Sequence, residues 1–404
     1  MVILFLSALL FGGLLWLPLP PLSFPLVAPA MAQANITTPS EALARLFTQP
    51  LLQAEWFSPS FLRQISLAQM ESVIGQLTET LGAFQGVEAA ADHWVVVFDG
   101  GRVTTRLALD QQGRIQGLVF EPPDQPISPA EMVQAMQAFP GEAHLLIRAD
   151  GQVLASHDAE QPLAVGSAFK LAVLAALSQE INAGNLAWEQ VVSLQSQWRS
   201  LPSGLLQDWP ASTALTVETL AAMMISLSDN TATDALIDLV GRKAIEALSP
   251  GNRPFLTTRE FFALKHPANA ELLQRYRQGD EAQRRALLPL VNQAPLPSKD
   301  LFEGAPLALD VEWFFPATKL CDLMEPVADL PLMGINPGVA KPDEWAAIAY
   351  KGGSEPGVLN LTTALTDRSG RRLCVTATWN RTDQPLEDMQ LIGLYRNLLA
   401  GLRQ

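Results

Sequence analysis

A serine and a lysine stand three positions apart at the start of a predicted helix. Ser167 and Lys170 lie in the segment 165–170, which precedes the apolar run 171–177. Positions three apart share a helix face, so the hydroxyl and the amine can come within hydrogen-bond distance. An amine desolvated by an apolar helix can take the serine proton, and the helix N-terminus offers N–H groups to an oxyanion. The pair indicates nucleophilic acyl transfer, or alternatively a capped helix start with a solvated lysine.

A second polar segment lies between two apolar helical runs. It contains Ser228 and Asn230 in the order Ser-Asp-Asn. The hydroxyl of Ser228 can relay protons, and the amide of Asn230 can hold a substrate. The alternative interpretation is an ordinary turn between helices, in which such side chains bond to the local backbone.

A third segment lies near the C-terminus, where an apolar strand runs into glycines. Lys351 is followed by Gly352, Gly353 and Ser354. A cation here can anchor an anionic substrate group, and a backbone without side chains can approach that group closely. A strand that ends in a turn is the alternative interpretation.

The order of the three segments resembles the S-x-x-K, S-D-N and K-T-G signatures of class A β-lactamases and penicillin-binding proteins. The similarity extends over about residues 130–404 and implies a β-lactamase-like α/β domain, an α-β-α sandwich around an antiparallel sheet. The resemblance also implies a role for each matching residue. In acylation, Ser167 forms the acyl-enzyme, Lys170 is the general base, and Ser228 returns the proton to the leaving group. In substrate binding, Asn230 positions the substrate amide, Lys351 meets a carboxylate, Gly352 and Gly353 border the substrate, and the N–H groups of Ser167 and Ser354 form the oxyanion hole.

Two departures from that family bear on the substrate. Gly352 stands where the family has Thr or Ser, so one hydroxyl is missing, and Ser354 is a partial substitute. The loop with a Glu that activates the deacylating water is not found. Glu260 is the nearest carboxylate, but with Thr257 it forms the pattern of a capping box, and we favour capping over catalysis. Efficient β-lactam hydrolysis is therefore not expected, and esters are plausible substrates.

The N-terminus predicts export. The segment Met1–Leu19 is nearly all apolar, and small-x-small patterns end at Ala32 and Ala34. We assign residues 1–34 to a signal peptide of a secreted or periplasmic bacterial protein. Because no Lys or Arg precedes the apolar run, an uncleaved membrane anchor is the alternative, and only that case implies a membrane contact.

Residues 35–121 predict a separate α+β domain. Helical spacing extends from Thr38 to Val87, and period-two alternation then predicts a three-stranded meander over 94–120. This cone-like pattern resembles the nuclear-transport-factor and steroid-isomerase folds, and we expect a structural or substrate-gating role. Residues 122–128 form a linker before the hydrolase domain at 129–404. The two-domain layout is similar to that of the β-lactamase-like esterases of clavam biosynthesis.

Within 129–404, a hairpin is predicted across the turn 149–151, and the final strand and helix close the fold. Strands at both ends with helices between them predict one sheet built from the two termini. We expect the unusual segment 266–342 to rim the cleft.

Composition limits the other possibilities. Hydrophobic residues make up 48% and charged residues 17%, which is typical of a globular chain. The net charge of -14 argues against nucleic-acid binding. Clustered metal ligands and phosphate loops are not found, so we expect no metal and no cofactor. Cys321 and Cys374 can pair after export or remain buried thiols, and their spacing without a C-x-x-C motif favours unpaired thiols.

The sequence thus predicts a monomeric serine hydrolase that acts on a small ester, amide or β-lactam-like substrate. A true class A-type β-lactamase is one alternative. A non-catalytic cell-envelope binding protein that retains the fold is the other.

Overall fold

The computed structural model describes residues 38–63, 65–90, 93–121, 125–302 and 304–403. The predicted signal peptide at 1–34 lies outside these residues. None of the helices in the described ranges is long and apolar enough to cross a bilayer.

The N-terminal part combines three helices with an antiparallel sheet. Capping boxes start two of the helices, with Thr38 paired to Glu41 and Ser66 paired to Gln69. The strands follow one another in sheet order, each beside the next. The elements are α1 (Pro39–Thr48), α2 (Pro59–Leu62), α3 (Leu67–Leu81), β1 (Phe84–Ala89), β2 (Trp94–Phe98), β3 (Gly101–Leu109) and β4 (Ile115–Phe120).

Strand β1 corrects the sequence prediction, which had extended helical spacing to Val87 and counted three strands. Gly82 ends α3 with φ +81, a conformation that favours glycine. Phe84 then stacks on Phe47 at 5.3 Å and meets Phe98 edge-on at 6.2 Å. These ring contacts hold the chain against β2, so the sheet has four strands. Whether this part gates substrate stays a prediction, as do the domain boundaries.

The second part begins with α4 (Pro129–Gln137), which is capped by Ser128 and Glu131. The predicted hairpin is confirmed as β5 (Glu142–Ala149) and β6 (Gln152–His157). The elements between this hairpin and the last strands are β7 (Leu163–Ala164), α5 (Lys170–Asn182), β8 (Val191–Ser193), β9 (Ala214–Thr216), α6 (Val217–Ser226), α7 (Asn230–Val240), α8 (Arg242–Leu248), α9 (Thr258–Lys265), α10 (Ala270–Gln278), α11 (Glu281–Gln293), β10 (Phe314–Phe315) and α12 (Ala317–Met324).

One five-stranded antiparallel sheet joins the two ends of this part, as the sequence predicted. Its order is β11-β12-β13-β5-β6, with β11 at an edge. Helices cover both faces: α4 and the last helix pack on one side around Trp379 and Tyr395, and the block around α5 packs on the other. The predicted α/β sandwich is thereby confirmed. The closing elements are β11 (Ala347–Glu355), β12 (Val358–Thr366), β13 (Arg372–Asn380) and α13 (Asp388–Gly401).

Cys321 and Cys374 form a disulfide, so the preference for unpaired thiols was wrong. Helix α12 packs across β13, which places the two Cα atoms 5.9 Å apart. Both side chains are buried beside Leu146 and Ala317. Their long separation in sequence gave no sign of this contact, because it depends on how α12 crosses the sheet.

Candidate active site

The position of Ser167 is set by short elements on either side of it. Strand β7 pairs with β10, and the side-chain amide of Asn380 bonds to both the N–H and the C=O of Ala164 at 3.0 and 2.9 Å. A 3₁₀ turn over Gly166–Phe169 then leads into α5. Gly166 takes φ +48 there, and a Cβ on it would lie 3.0 Å from the backbone nitrogen of Ser354. The nucleophile candidate is thus clamped between β7 and β11.

Lys170 begins α5 and is completely buried. Its Nζ lies 2.7 Å from the backbone oxygen of Ser228 and 2.7 Å from Oδ1 of Asn230. It also lies 3.1 Å from Oγ of Ser167 and 3.1 Å from Oγ of Ser228. The predicted Ser-x-x-Lys pair therefore has the geometry that a proton transfer requires.

Burial lowers the pKa of Lys170 well below the ordinary lysine value, and the charge of Lys351 lowers it further. The carboxylates of Asp234 and Asp229 act in the opposite direction and raise this pKa. Desolvation is the largest cause, because the apolar helix excludes water from the amine. The environment therefore destabilises the ammonium form of Lys170 relative to a lysine in water.

Ser228 lies at the junction of α6 and α7, between the two lysines. Its Oγ is 3.1 Å from Nζ of Lys170 and 3.1 Å from Nζ of Lys351. Its backbone takes φ +55, which is uncommon for a residue other than glycine and turns the chain sharply before α7. Asn230 is buried, and its Nδ2 donates to the carbonyl of Leu201 at 3.0 Å. The hydroxyl is placed to pass a proton between the two amines.

Lys351 reaches the same hydroxyl from strand β11. It is buried, and its Nζ donates to the carbonyl of Gly352 at 2.6 Å. Desolvation lowers its pKa to about 7. The structure therefore brings Ser167, Lys170, Ser228, Asn230 and Lys351 into one connected cluster.

Gly353 lets β11 pass close to the nucleophile. A Cβ on it would lie 2.2 Å from the oxygen of Val165 and 2.3 Å from the nitrogen of Ser167. No side chain fits at such distances, so only glycine permits this approach. Ser167 and Ser354 both line the cavity beside this close approach.

The sequence between α4 and α8 agrees with this geometry. Residues 128–250 match the model of the β-lactamase enzyme family. Residues 128–250 are therefore β-lactamase-like in sequence. This confirms the predicted superfamily, that of serine β-lactamases and penicillin-binding proteins. A comparison with curated proteins gives no match.

Solved structures with similarity to the chain include two β-lactamases and a penicillin-binding protein. The β-lactamase from Sphaerobacter thermophilus is 20% identical, covers 68% of this chain and 95% of its own, and has a TM-score of 0.47. The β-lactamase from Desulfarculus baarsii is 18% identical, with coverages of 69% and 99% and a TM-score of 0.46. PBP-A is 14% identical, with coverages of 69% and 97% and a TM-score of 0.45.

The cavity of the β-lactamase-like domain has a volume of about 460 Å³ and two different walls. The polar wall carries the cluster described above. The opposite wall is aromatic, and part of it comes from the segment that was expected to rim the cleft, since Phe302 and Trp313 line the cavity. Trp313 also stacks on Phe169 and Phe261 at 3.7 and 4.7 Å between ring centroids. An apolar substrate group would fit against this wall.

Glu260 does not line this cavity. It completes a capping box with Thr257, as the sequence predicted, and both its oxygens accept from Arg242 at 2.9 Å. Asn292 donates to it at 2.8 Å. These partners hold the carboxylate among α8, α9 and α11, which supports the structural interpretation.

Two buried aspartates shape the site, and neither was predicted. Asp229 starts α7 and accepts from the N–H groups of Leu205 and Leu206 at 2.6 and 2.9 Å, which fixes the loop before them. Asp234 accepts from the N–H of Thr258 at 2.7 Å and ties α7 to α9. Desolvation raises the pKa of Asp234 to about 7. Asp229 is the middle residue of Ser-Asp-Asn, so its N-cap position could have been inferred.

A buried ion cluster adjoins the cavity and was also missed. Lys265 Nζ lies 2.6 Å from Oε1 of Glu312 and 2.8 Å from Oε1 of Glu355. Burial and the neighbouring Glu355 raise the pKa of Glu312. Glu355 lines the cavity. Within the described ranges, acidic, His and Cys side chains form no group of three or more that could hold a metal.

Proposed function

We propose that this chain is an exported serine hydrolase that forms an acyl-enzyme at Ser167. The surroundings of Lys170 Nζ carry the proposal. A neutral amine has two hydrogens, and two carbonyl oxygens, of Ser228 and Asn230, accept at 2.7 Å. Its lone pair is left for a hydroxyl, and Oγ of Ser167 lies 3.1 Å away. Lys170 is therefore a suitable general base.

In the proposed acylation step, the proton of Ser167 Oγ moves to Nζ of Lys170 while Oγ bonds to the substrate carbonyl carbon. The carbonyl oxygen gains the electron pair, and the N–H groups of Ser167 and Ser354 donate to it. Loss of one such donor typically costs about 10²- to 10³-fold in rate. When the tetrahedral intermediate collapses, the bond to the leaving group breaks, and the proton passes from Lys170 through Ser228 to that group.

The cavity supports a small-molecule ester or amide as substrate. Its aromatic wall, which includes Phe261, Phe262 and Trp313, offers apolar contact beside the nucleophile. Asn230 lines the same cavity, in a position to hold a polar group of the acyl part. We further propose that the protein acts as a monomer without nucleic acid, in keeping with its net charge of -14.

When the substrate is a β-lactam, we expect slow release of the acyl group, because the carboxylates of Glu260 and Glu355 already have partners. Glu260 is engaged by Arg242, Thr257 and Asn292, and Glu355 is engaged by Lys265. Neither carboxylate is free to activate a water at the acyl-enzyme. We propose that water still releases the less hindered acyl groups of esters, whereas β-lactams remain bound as stable adducts.

The proposed location outside the cytoplasm has two supports. The apolar leader with small-x-small sites predicts export. The Cys321–Cys374 disulfide is typical of an oxidising compartment. A periplasmic or secreted protein satisfies both.

The test is labelling of the folded protein with a fluorescent penicillin and with a fluorophosphonate, followed by mass spectrometry of the modified peptide. We expect one label per chain, on Ser167. Ser167→Ala should lose the label, and Ser178→Ala, in α5 away from the cavity, should retain it. Intact wild-type protein that takes no label from either reagent would contradict the proposal and favour a non-catalytic binding protein.

Turnover of nitrocefin separates the proposal from its closest alternative. We expect at most one rapid turnover per chain, because Glu355, the acidic residue among the described residues that line the cavity, is paired with Lys265. Sustained rapid hydrolysis that requires Ser167 would instead show a true β-lactamase. Sustained hydrolysis of 4-nitrophenyl esters is the expected result for an esterase.

A further inference from the structure

Tyr350 is held between two glycines at the edge of the cavity. A Cβ on Gly338 would lie 2.5 Å from Cδ2 of the ring, and Gly338 itself takes φ +63. A Cβ on Gly352 would lie 2.2 Å from the tyrosine hydroxyl oxygen. The ring thus fills the space that side chains at both positions would need. Position 352 has no hydroxyl side chain of its own, and the hydroxyl of Tyr350 occupies the space that such a side chain would fill.

The hydroxyl of Tyr350 has no hydrogen-bond partner among the residues that the structure describes, although the residue lines the cavity. The hydroxyl of Tyr395, by comparison, bonds to Thr363 and to the carbonyl of Val375 at 2.9 and 2.8 Å. A hydroxyl that lines a cavity and has no partner within the protein can bond to a ligand or to water there. Burial also raises the pKa of Tyr350 to about 12, so the hydroxyl keeps its proton. It is available as a donor.

The strand places this donor along the path of a substrate. Residues 350, 352 and 354 alternate onto one face of β11, and Lys351 points to the other face, where it meets Ser228. Strand β11 is an edge strand, so a substrate can lie along it. The Tyr350 hydroxyl lies over Gly352, two residues before Ser354. Two residues of a strand span roughly 7 Å. A substrate that has its carbonyl near the N–H of Ser354 and runs along β11 toward Gly352 would reach the Tyr350 hydroxyl.

The charges around the cavity favour an anionic partner for this donor. Among its described lining residues, Lys299 and Lys351 are the basic ones, and Glu355 is the acidic one. Glu355 is already paired with Lys265. The side chains that line the cavity therefore offer no unpaired carboxylate to the hydroxyl. A hydrogen bond from a neutral donor to a charged acceptor is stronger than one between neutral groups.

We infer that the Tyr350 hydroxyl is a specificity-determining contact that donates a hydrogen bond to an anionic oxygen group of the substrate, such as a carboxylate. The inference rests on the proposed function and adds a specificity-determining residue to the same site.

The experiment compares a fluorescent penicillin with its carboxylate methyl ester as acylating agents of the full chain. The readout is the ratio of their second-order labelling rates at Ser167. Wild type should favour the free acid. Tyr350→Phe should lower that ratio by about 10- to 100-fold, the range for loss of a hydrogen bond to a charged group, and should leave labelling by the methyl ester unchanged. Because the ring remains between the two glycines, the thermal midpoint should also remain unchanged.

Tyr276→Phe is the matched control, since Tyr276 lies in α10 and does not line the cavity. Its ratio should equal that of wild type. If wild type labels with both compounds at equal rates, or if Tyr350→Phe keeps the wild-type ratio, the inference is wrong while the proposed function stands. If neither compound labels Ser167 of wild type, the proposed function fails and the inference fails with it.

Discussion

The Nζ atom of Lys351 lies 3.1 Å from Oγ of Ser228. The same hydroxyl lies 3.1 Å from Nζ of Lys170, so one serine connects two buried amines. Two ammonium ions so close to one another would repel strongly in a buried site. The arrangement is favourable when Lys170 is neutral, which is the state that a general base requires.

Acylation should depend on pH through both lysines. Lys170 acts as a base only when deprotonated, so kcat/KM for an anionic probe should rise as pH passes the lowered pKa of Lys170. Deprotonation of Lys351, whose pKa is about 7, should lower kcat/KM because its attraction for the anion is then lost. Stopped-flow labelling across pH 4–10 measures both limbs. Lys351→Ala should lack the falling limb, and a single rise near the ordinary lysine pKa would contradict this account.

Gly353→Ala should lower the acylation rate by at least about 100-fold, an effect comparable to the loss of one oxyanion-hole donor. The new Cβ would lie 2.3 Å from the nitrogen of Ser167, so β11 must move away from the nucleophile. Gly393→Ala is the control, because nothing lies within 4 Å of its Cβ position in α13 and alanine favours a helix. Labelling rates and thermal midpoints measure both effects. A Gly353→Ala variant that labels at the wild-type rate would show that the close approach has no catalytic role.

The cluster of Ser167, Lys170, Ser228 and Lys351 could be predicted from sequence because each residue lies beside a recognisable local signal. An apolar helix follows Lys170, Ser228 stands between two apolar helical runs, and glycines follow Lys351. Such signals depend on periodicity and turn chemistry within a short segment. The relative order of the segments then supplied the family.

The features that were missed depend on contacts between distant segments. The pairing of Cys321 with Cys374 needs α12 to cross β13, and the cluster of Lys265 and Glu312 needs α9 to meet the chain before β10. Tyr350 looks like an ordinary strand residue until the space at Gly352 is known. Amphipathic patterns give the face of an element that is buried, but not the element that covers it.

Removal of the disulfide should weaken the fold without removing the active site. The double variant Cys321→Ala, Cys374→Ala should lose about 2–4 kcal/mol in free energy of unfolding, because the bond restricts the unfolded chain. Urea titration measures the loss, and wild type in reducing agent should match the variant. Labelling of Ser167 at low temperature should persist, since neither cysteine lines the cavity. Equal stability of variant and wild type would contradict a structural role for the bond.

Glu260 provides the test of whether a second carboxylate serves catalysis. Glu260→Gln retains an oxygen that can cap α9 but removes the charge that Arg242 pairs with at 2.9 Å. We expect a loss of about 1–3 kcal/mol in free energy of unfolding, as for a hydrogen bond to a charged group. The lifetime of the penicillin adduct should equal that of wild type. Urea titration and release of the fluorescent label measure the two quantities.

Glu271→Gln, in the exposed first turn of α10, is the control for loss of a carboxylate and should change neither quantity. The opposite pattern for Glu260→Gln, an unchanged stability with a much longer-lived adduct, would make Glu260 the base that activates the deacylating water. That result would show that the protein is a β-lactamase rather than an esterase that β-lactams only acylate. Release of the acyl group is the step that separates the two activities.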